Sequence, residues 1–145
     1  MNAAFEHEDN LSPWKINGNG RPVSHSPQSQ IKEDNGLGRA GRHSVELIEE
    51  GSEVSQTITG LEKDSTYRFI SFIRVEKDSA AVIGVRYPDG REYLSTEVSG
   101  AYFSWKPGWQ RVDLSFDTSA DSSEVTVFAR RIKDNKGQVH FDDAG

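Results

Sequence analysis

Thr66-Tyr67-Arg68-Phe69-Ile70-Ser71-Phe72-Ile73-Arg74-Val75 is the stretch on which the fold turns. Tyr67, Phe69, Ile73 and Val75 fall on one side of a period-two pattern, and Arg68, Ile70, Phe72 and Arg74 fall on the other. Side chains alternate across a β-strand, so this is a strand with an apolar face and a mixed one. Gly60-Leu61-Glu62-Lys63-Asp64-Ser65 precedes it as a turn, and Glu53–Thr59 alternates before that turn. Downstream, Ala81–Tyr87 is a strand that Pro88-Asp89-Gly90 turns back into Arg91–Val98. Trp109–Phe116 and Val125–Arg130 alternate in turn, and Asn135-Lys136-Gly137 leads into Val139–Phe141.

Toward the N-terminus, Ala3–His7 reads as a first strand, followed by an alternation around Trp14 and Ile16. Asn17–Gly41 is rich in Gly, Ser, Asn and Pro and reads as a long loop with a short strand at Val23–His25. The total is about nine or ten strands separated by turn signals, with no long helical periodicity and no internal repeat. The expected fold is all-β: a two-sheet antiparallel β-sandwich. Alternation assigns Tyr67, Phe69, Ile73, Ile83, Val85, Val112, Leu114, Phe116, Val125 and Val127 to its core. Trp109, opening its strand, reads as structural, and Trp14 fits a buried position.

The 145 residues suffice for a single domain, expected over 1–145. Hydrophobic residues make up only 34%, but seven Phe, four Tyr and three Trp argue against disorder. The mean hydropathy of −0.69 suits sheets with one face in water. A net charge of −6 speaks against nucleic acid or an anionic membrane as partner. No apolar run approaches the roughly 18 residues of a membrane-spanning helix, and no signal-peptide pattern opens the chain. The absence of cysteine excludes disulfides, thiolate zinc sites and cysteine nucleophiles. His7, His25, His43 and His140 show no metal-binding spacing. Glu46, Glu49, Glu50 and Glu53 cluster near a turn as solvated charge, and no nucleophile elbow or phosphate loop is present. The chain is therefore expected to be non-catalytic. Ending on a strand pattern at Asp142-Asp143-Ala144-Gly145, it is expected to be a module excised from a larger protein, with Met1 added for expression.

Asn2-Ala3-Ala4-Phe5-Glu6 is followed by Trp14, then by Gly41-x-x-Ser44-Val45-x-Leu47. Val54-x-Gln56-x-Ile58-x-Gly60-Leu61 and Thr66-Tyr67 come next, then Trp109-x-x-Val112-x-Leu114-x-Phe116, and finally Val139-x-Phe141-Asp142-Asp143. This ordered set resembles the jelly-roll carbohydrate-binding modules of families 4, 9, 16 and 22. The resemblance covers nearly the whole chain, from Asn2 to Ala144.

The resemblance implies adjacent first and last strands joined by a structural Ca²⁺. Glu6 and Asp142 would supply side-chain ligands, with carbonyls near Ala4 and around Arg39–Arg42 completing the shell. Hard carboxylate and carbonyl oxygens are what Ca²⁺ takes. It further implies a module that holds a parent polysaccharide-active enzyme on an oligo- or polysaccharide. Such a module would be an extracellular or cell-surface monomer with a catalytic domain in cis. A non-binding spacer or protein-contact jelly roll is the alternative.

A glycan site needs aromatic faces for stacking and polar side chains for hydroxyls. Trp105 is the leading stacking candidate, with Tyr102, Phe103 and Tyr93 on or near the closing loop. Arg86, Phe128 and Arg130 are expected on the outward face of one sheet, with Glu53 and Ser55 on a flanking strand. Paired arginines suit carboxylate or sulfate, so an anionic polysaccharide is one expectation. No Trp stands on Glu50–Gln56, where some members place one, which speaks against a β-glucan or xylan cleft.

Overall fold

The computed structural model describes residues 14–18, 20–24, 43–75, 78–99, 110–132 and 139–142. These form eleven strands: β1 (Lys15–Asn17), β2 (Gly20–Ser24), β3 (His43–Leu47), β4 (Glu53–Ile58), β5 (Thr66–Val75), β6 (Ala80–Arg86), β7 (Glu92–Leu94), β8 (Val98–Ser99), β9 (Gln110–Asp117), β10 (Val125–Arg131) and β11 (Val139–Asp142). Among the described residues there is no helix.

The strands divide into two antiparallel sheets. Sheet A runs β1-β4-β10-β6-β7, with β8 also paired to β6; sheet B runs β2-β3-β11-β5-β9. Strand β5 behaves as its alternation requires, burying Phe69, Ile73 and Val75. Its longest ladder is with β9, where Phe69 faces Leu114 and Tyr67 faces Phe116. Of the ten residues assigned to the core by alternation, nine are buried, and Tyr67 packs partly buried at its margin. Trp14 is buried at 4% exposure, edge-to-face with Phe141 at 5.7 Å between ring centroids. Interdigitation of these two inner faces is what a sandwich buries.

Several boundaries differ from the sequence expectation. The return strand Arg91–Val98 is two short pieces, β7 and β8, separated by Ser95–Glu97. Ser95 leaves the ladder because its hydroxyl accepts from the Ile83 amide at 3.0 Å while its own amide donates to the Ile83 carbonyl at 2.9 Å. The short strand in the Gly-rich region spans Gly20–Ser24 rather than starting at Val23, and it carries Pro22. A proline there is compatible with β2 lying at the edge of sheet B.

The last strand was expected beside the first. Among the described residues, β11 lies between β3 and β5, with Phe141 opposite both Val45 and Ile73. Both of its hydrogen-bonding edges are thus taken. The expected strand Ala3–His7 lies outside the described residues.

Candidate functional site

The outward face of sheet A carries a dense polar constellation. In β10, Val125, Val127 and Ala129 point to the core, so Thr126, Phe128 and Arg130 point away from it. Register then aligns the neighbours: Arg130 lies opposite Glu53 on β4, Phe128 lies opposite Gly84 on β6, and Arg86 lies opposite Glu92 on β7.

Glu53, Arg86, Arg130 and Glu92 close into a ring of ion pairs. Arg86 Nη2 donates to both oxygens of Glu53 at 3.0 and 2.9 Å, while its Nε and Nη2 reach Glu92 Oε2 at 3.1 and 2.9 Å. Arg130 donates from Nε and Nη2 to Glu53 Oε2 at 3.1 and 2.9 Å, and from Nη1 and Nη2 to Glu92 at 3.2 and 2.6 Å. Forked, charge-assisted bonds of this kind fix geometry as well as supplying energy. Glu53 lies at the bottom with 5% side-chain exposure, and the other three remain about a quarter exposed. Hydrogen bonding from Arg130, and then from Arg86, holds the Glu92 carboxyl below its ordinary value. Reciprocally, Glu53 raises the Arg86 guanidinium and Glu92 raises that of Arg130.

Beneath the ring lies Phe128. The Arg86 and Arg130 guanidinium carbons stand 4.8 and 4.6 Å from its ring centroid, a double cation–π contact. Gly84 makes this possible. A Cβ there would sit 2.8 Å from Leu94 Cδ2 and closer still to the Phe128 ring. The aromatic therefore lies flat across a glycine on the neighbouring strand.

The sequence-expected residues separate accordingly. Arg86, Arg130, Glu53 and Ser55 share this face, as does Phe128. Phe128 is fully covered, so its ring is a floor for the arginines and not a surface for a sugar. The paired arginines do not form a basic groove. Each is already held by both carboxylates, and the four side chains sum to zero charge. Tyr93 is 51% exposed but lies opposite Val85, on the other face of β7 from Glu92. Trp105, Tyr102, Phe103 and the calcium candidates Glu6 and Ala4 lie outside the described residues. Asp142 ends β11, opposite Phe72, and its side chain also lies outside them. Among the described residues no group of three acidic or histidine side chains converges on a metal position.

Glu92 was not anticipated. The signal was available: across the Pro88-Asp89-Gly90 turn the Tyr87 amide donates to the Arg91 carbonyl and the Gly90 amide donates to the Tyr87 carbonyl, each at 2.9 Å, which brings Glu92 opposite Arg86.

No protein-family model matches the chain, and no curated protein matches it. Solved structures do. A family 61 carbohydrate-binding module in complex with β-1,4-galactotriose superposes with a TM-score of 0.70 at 19% identity, over 99% of this chain and 92% of that one. The family 22 xylan-binding domain from Paenibacillus barcinonensis gives 0.63 at 13% identity, over 98% and 88%. The enzymatically active domain of bacteriophage CBA120 tailspike protein 4 gives 0.68 at 13% identity, over 99% of this chain but 20% of that one. The chain thus shares the two-sheet jelly-roll β-sandwich fold of these solved structures.

Proposed function

We propose that this chain is a non-catalytic carbohydrate-binding module whose outward face of sheet A engages a neutral polysaccharide and keeps a parent polysaccharide-active enzyme on it, outside the cell. The observation that carries the reading is the full-length structural match to binding modules, one of them in complex with a galactotriose. The charge-balanced ring supports the neutral preference. Its guanidinium and carboxylate edges offer donors and acceptors to hydroxyls. A uronate or sulfate would have to displace Glu53 or Glu92 from the arginines that hold them.

Affinity electrophoresis against galactan, xylan, a polyuronate and a sulfated polymer tests this. Retardation on a neutral polymer, reduced by Glu92→Gln, is the expected result. Retardation only on the anionic polymers would reverse the preference, and none at all would favour a spacer domain.

A structural calcium bridging Glu6, Asp142 and the Ala4 carbonyl belongs to the same proposal. Its support is the hard-oxygen character of that donor set and the position of Asp142 at the end of a central strand. A cation bound only by the folded chain stabilises it by mass action. EDTA should therefore lower the Tm by several degrees, and Glu6→Ala should abolish that shift. A Tm indifferent to EDTA would refute the metal.

A further inference from the structure

The β6–β7 hairpin has two faces, and the ring of ion pairs uses only one. On the other, the edges of the two sheets leave a cleft of about 210 Å³ lined by Tyr87, Tyr93, Ser115, Phe116 and Asp117. Tyr87 forms its fixed wall. Its hydroxyl donates to the Asp117 carbonyl at 2.8 Å, tying the margin of sheet A to the end of β9, and the Arg91 guanidinium stands 5.1 Å from its ring centroid. Tyr93 is different. Its register with Val85 aims it toward the core side, but β7 is the last strand of the sheet, so the ring overhangs the seam and stays 51% exposed. At the outer lip of the cleft, on the exposed face of β9, Asp117 Oδ1 accepts from Thr66 Oγ1 at 2.6 Å, while Oδ2 and the Ser115 hydroxyl make no hydrogen bond to any described residue.

We propose that this seam is a second saccharide subsite, separate from the sheet face, that takes one neutral pyranose unit with Tyr93 as its stacking platform and Asp117 and Ser115 as hydroxyl partners. It rests on the glycan-binding reading above. An open aromatic face beside unused acceptors is the pairing of apolar and polar surface that a sugar ring presents. The size fits: drug-sized pockets run from about 300 Å³ upward, and this cleft falls short of them. The acid in its wall selects against uronates and sulfates. Two sites on one small module, both meeting the same polymer, would raise retention beyond either alone.

The test compares wild type, Tyr93→Ala and Tyr93→Phe on every polymer that retains the wild type, with Tm measured for each. Tyr93→Ala should weaken binding about two- to tenfold with Tm unchanged, as expected for loss of a stacking contact, and Tyr93→Phe should keep wild-type retention. An NMR titration with β-1,4-galactotriose or xylotriose should move the Tyr93, Ser115 and Asp117 amides. Equal retention of Tyr93→Ala and wild type, or amides in the seam that stay still while Glu53 and Arg130 shift, overturns the subsite and leaves the sheet-face reading standing. A wild type retained by no polymer overturns both.

Discussion

Gly84 shows how much one missing side chain can organise. It lies mid-strand, where glycine ordinarily weakens a sheet, and it is the position over which Phe128 folds. The ring buries itself there without reaching the core, and that gives Arg86 and Arg130 an apolar floor. Gly84→Ala would push a methyl group against Leu94 and into the fully buried ring of Phe128, which the two arginines cover. Overpacking of this sort costs about 1–3 kcal/mol, so the Tm should fall and ring-dependent glycan retention should fall with it. Thermal melts and affinity electrophoresis on the same variant check both. Little of this was legible in the sequence. Alternation placed Phe128 on the outward face correctly, but whether an outward aromatic is exposed depends on what lies across the ladder. That is a register fact, not a composition fact.

At the scale of elements, the β6–β7 hairpin is the piece that completes the charged ring. Strands β4 and β10 bring Glu53 to Arg130, but without β7 each guanidinium would hold only one carboxylate. The hairpin's contribution has a pH signature. Glu92 titrates below its ordinary value of 4.5 in the folded protein because Arg130 and Arg86 bond its charged form. A lowered carboxyl contributes stability that is fully present above the unfolded value and is lost as pH falls through the folded one. Arg86 and Arg130 are shifted upward and stay protonated throughout, so they add no slope. Stability should therefore decline as pH drops below about 4.5, and Glu92→Gln should flatten part of that decline, as read from urea midpoints across the acid range. The turn signal at Pro88-Asp89-Gly90 made the hairpin readable in advance. The pairing of four charges was half-readable, since Arg86, Arg130 and Glu53 stood out and Glu92 did not.

Across the whole molecule, two sheets must be held face to face. The apolar core does most of this, and it was the most legible part, because period-two alternation with aromatic and branched residues carries its own orientation. A polar tie adds to it at one end. Arg131 is 3% exposed, donates to the Leu47 carbonyl of sheet B at 2.9 Å and reaches the Ser79 hydroxyl at 3.4 Å. The alternation was expected to stop one residue earlier, at Arg130, since a core-facing arginine breaks the apolar pattern that marks a strand. Buried hydrogen bonds from a charged group contribute roughly 1.5–3 kcal/mol. Arg131→Met should lower the unfolding free energy by about 1.5–3 kcal/mol, read as a lower denaturation midpoint with the denaturant slope unchanged. The position of β11 was not legible either, because antiparallel order between distant strands is decided by the whole sandwich and not by either strand's own residues. The four edges that this order leaves among the described residues carry a further consequence. Strands β1 and β7 are three residues long, β2 contains Pro22, and β9 displays an Arg111–Asp113 ion pair at 2.8 Å. Short, proline-bearing or charged margins deter strands of neighbouring molecules from adding on. Copies crowded side by side along a polymer surface would thus stay discrete neighbours and not zip into fibrils, so local density can rise without loss of solubility.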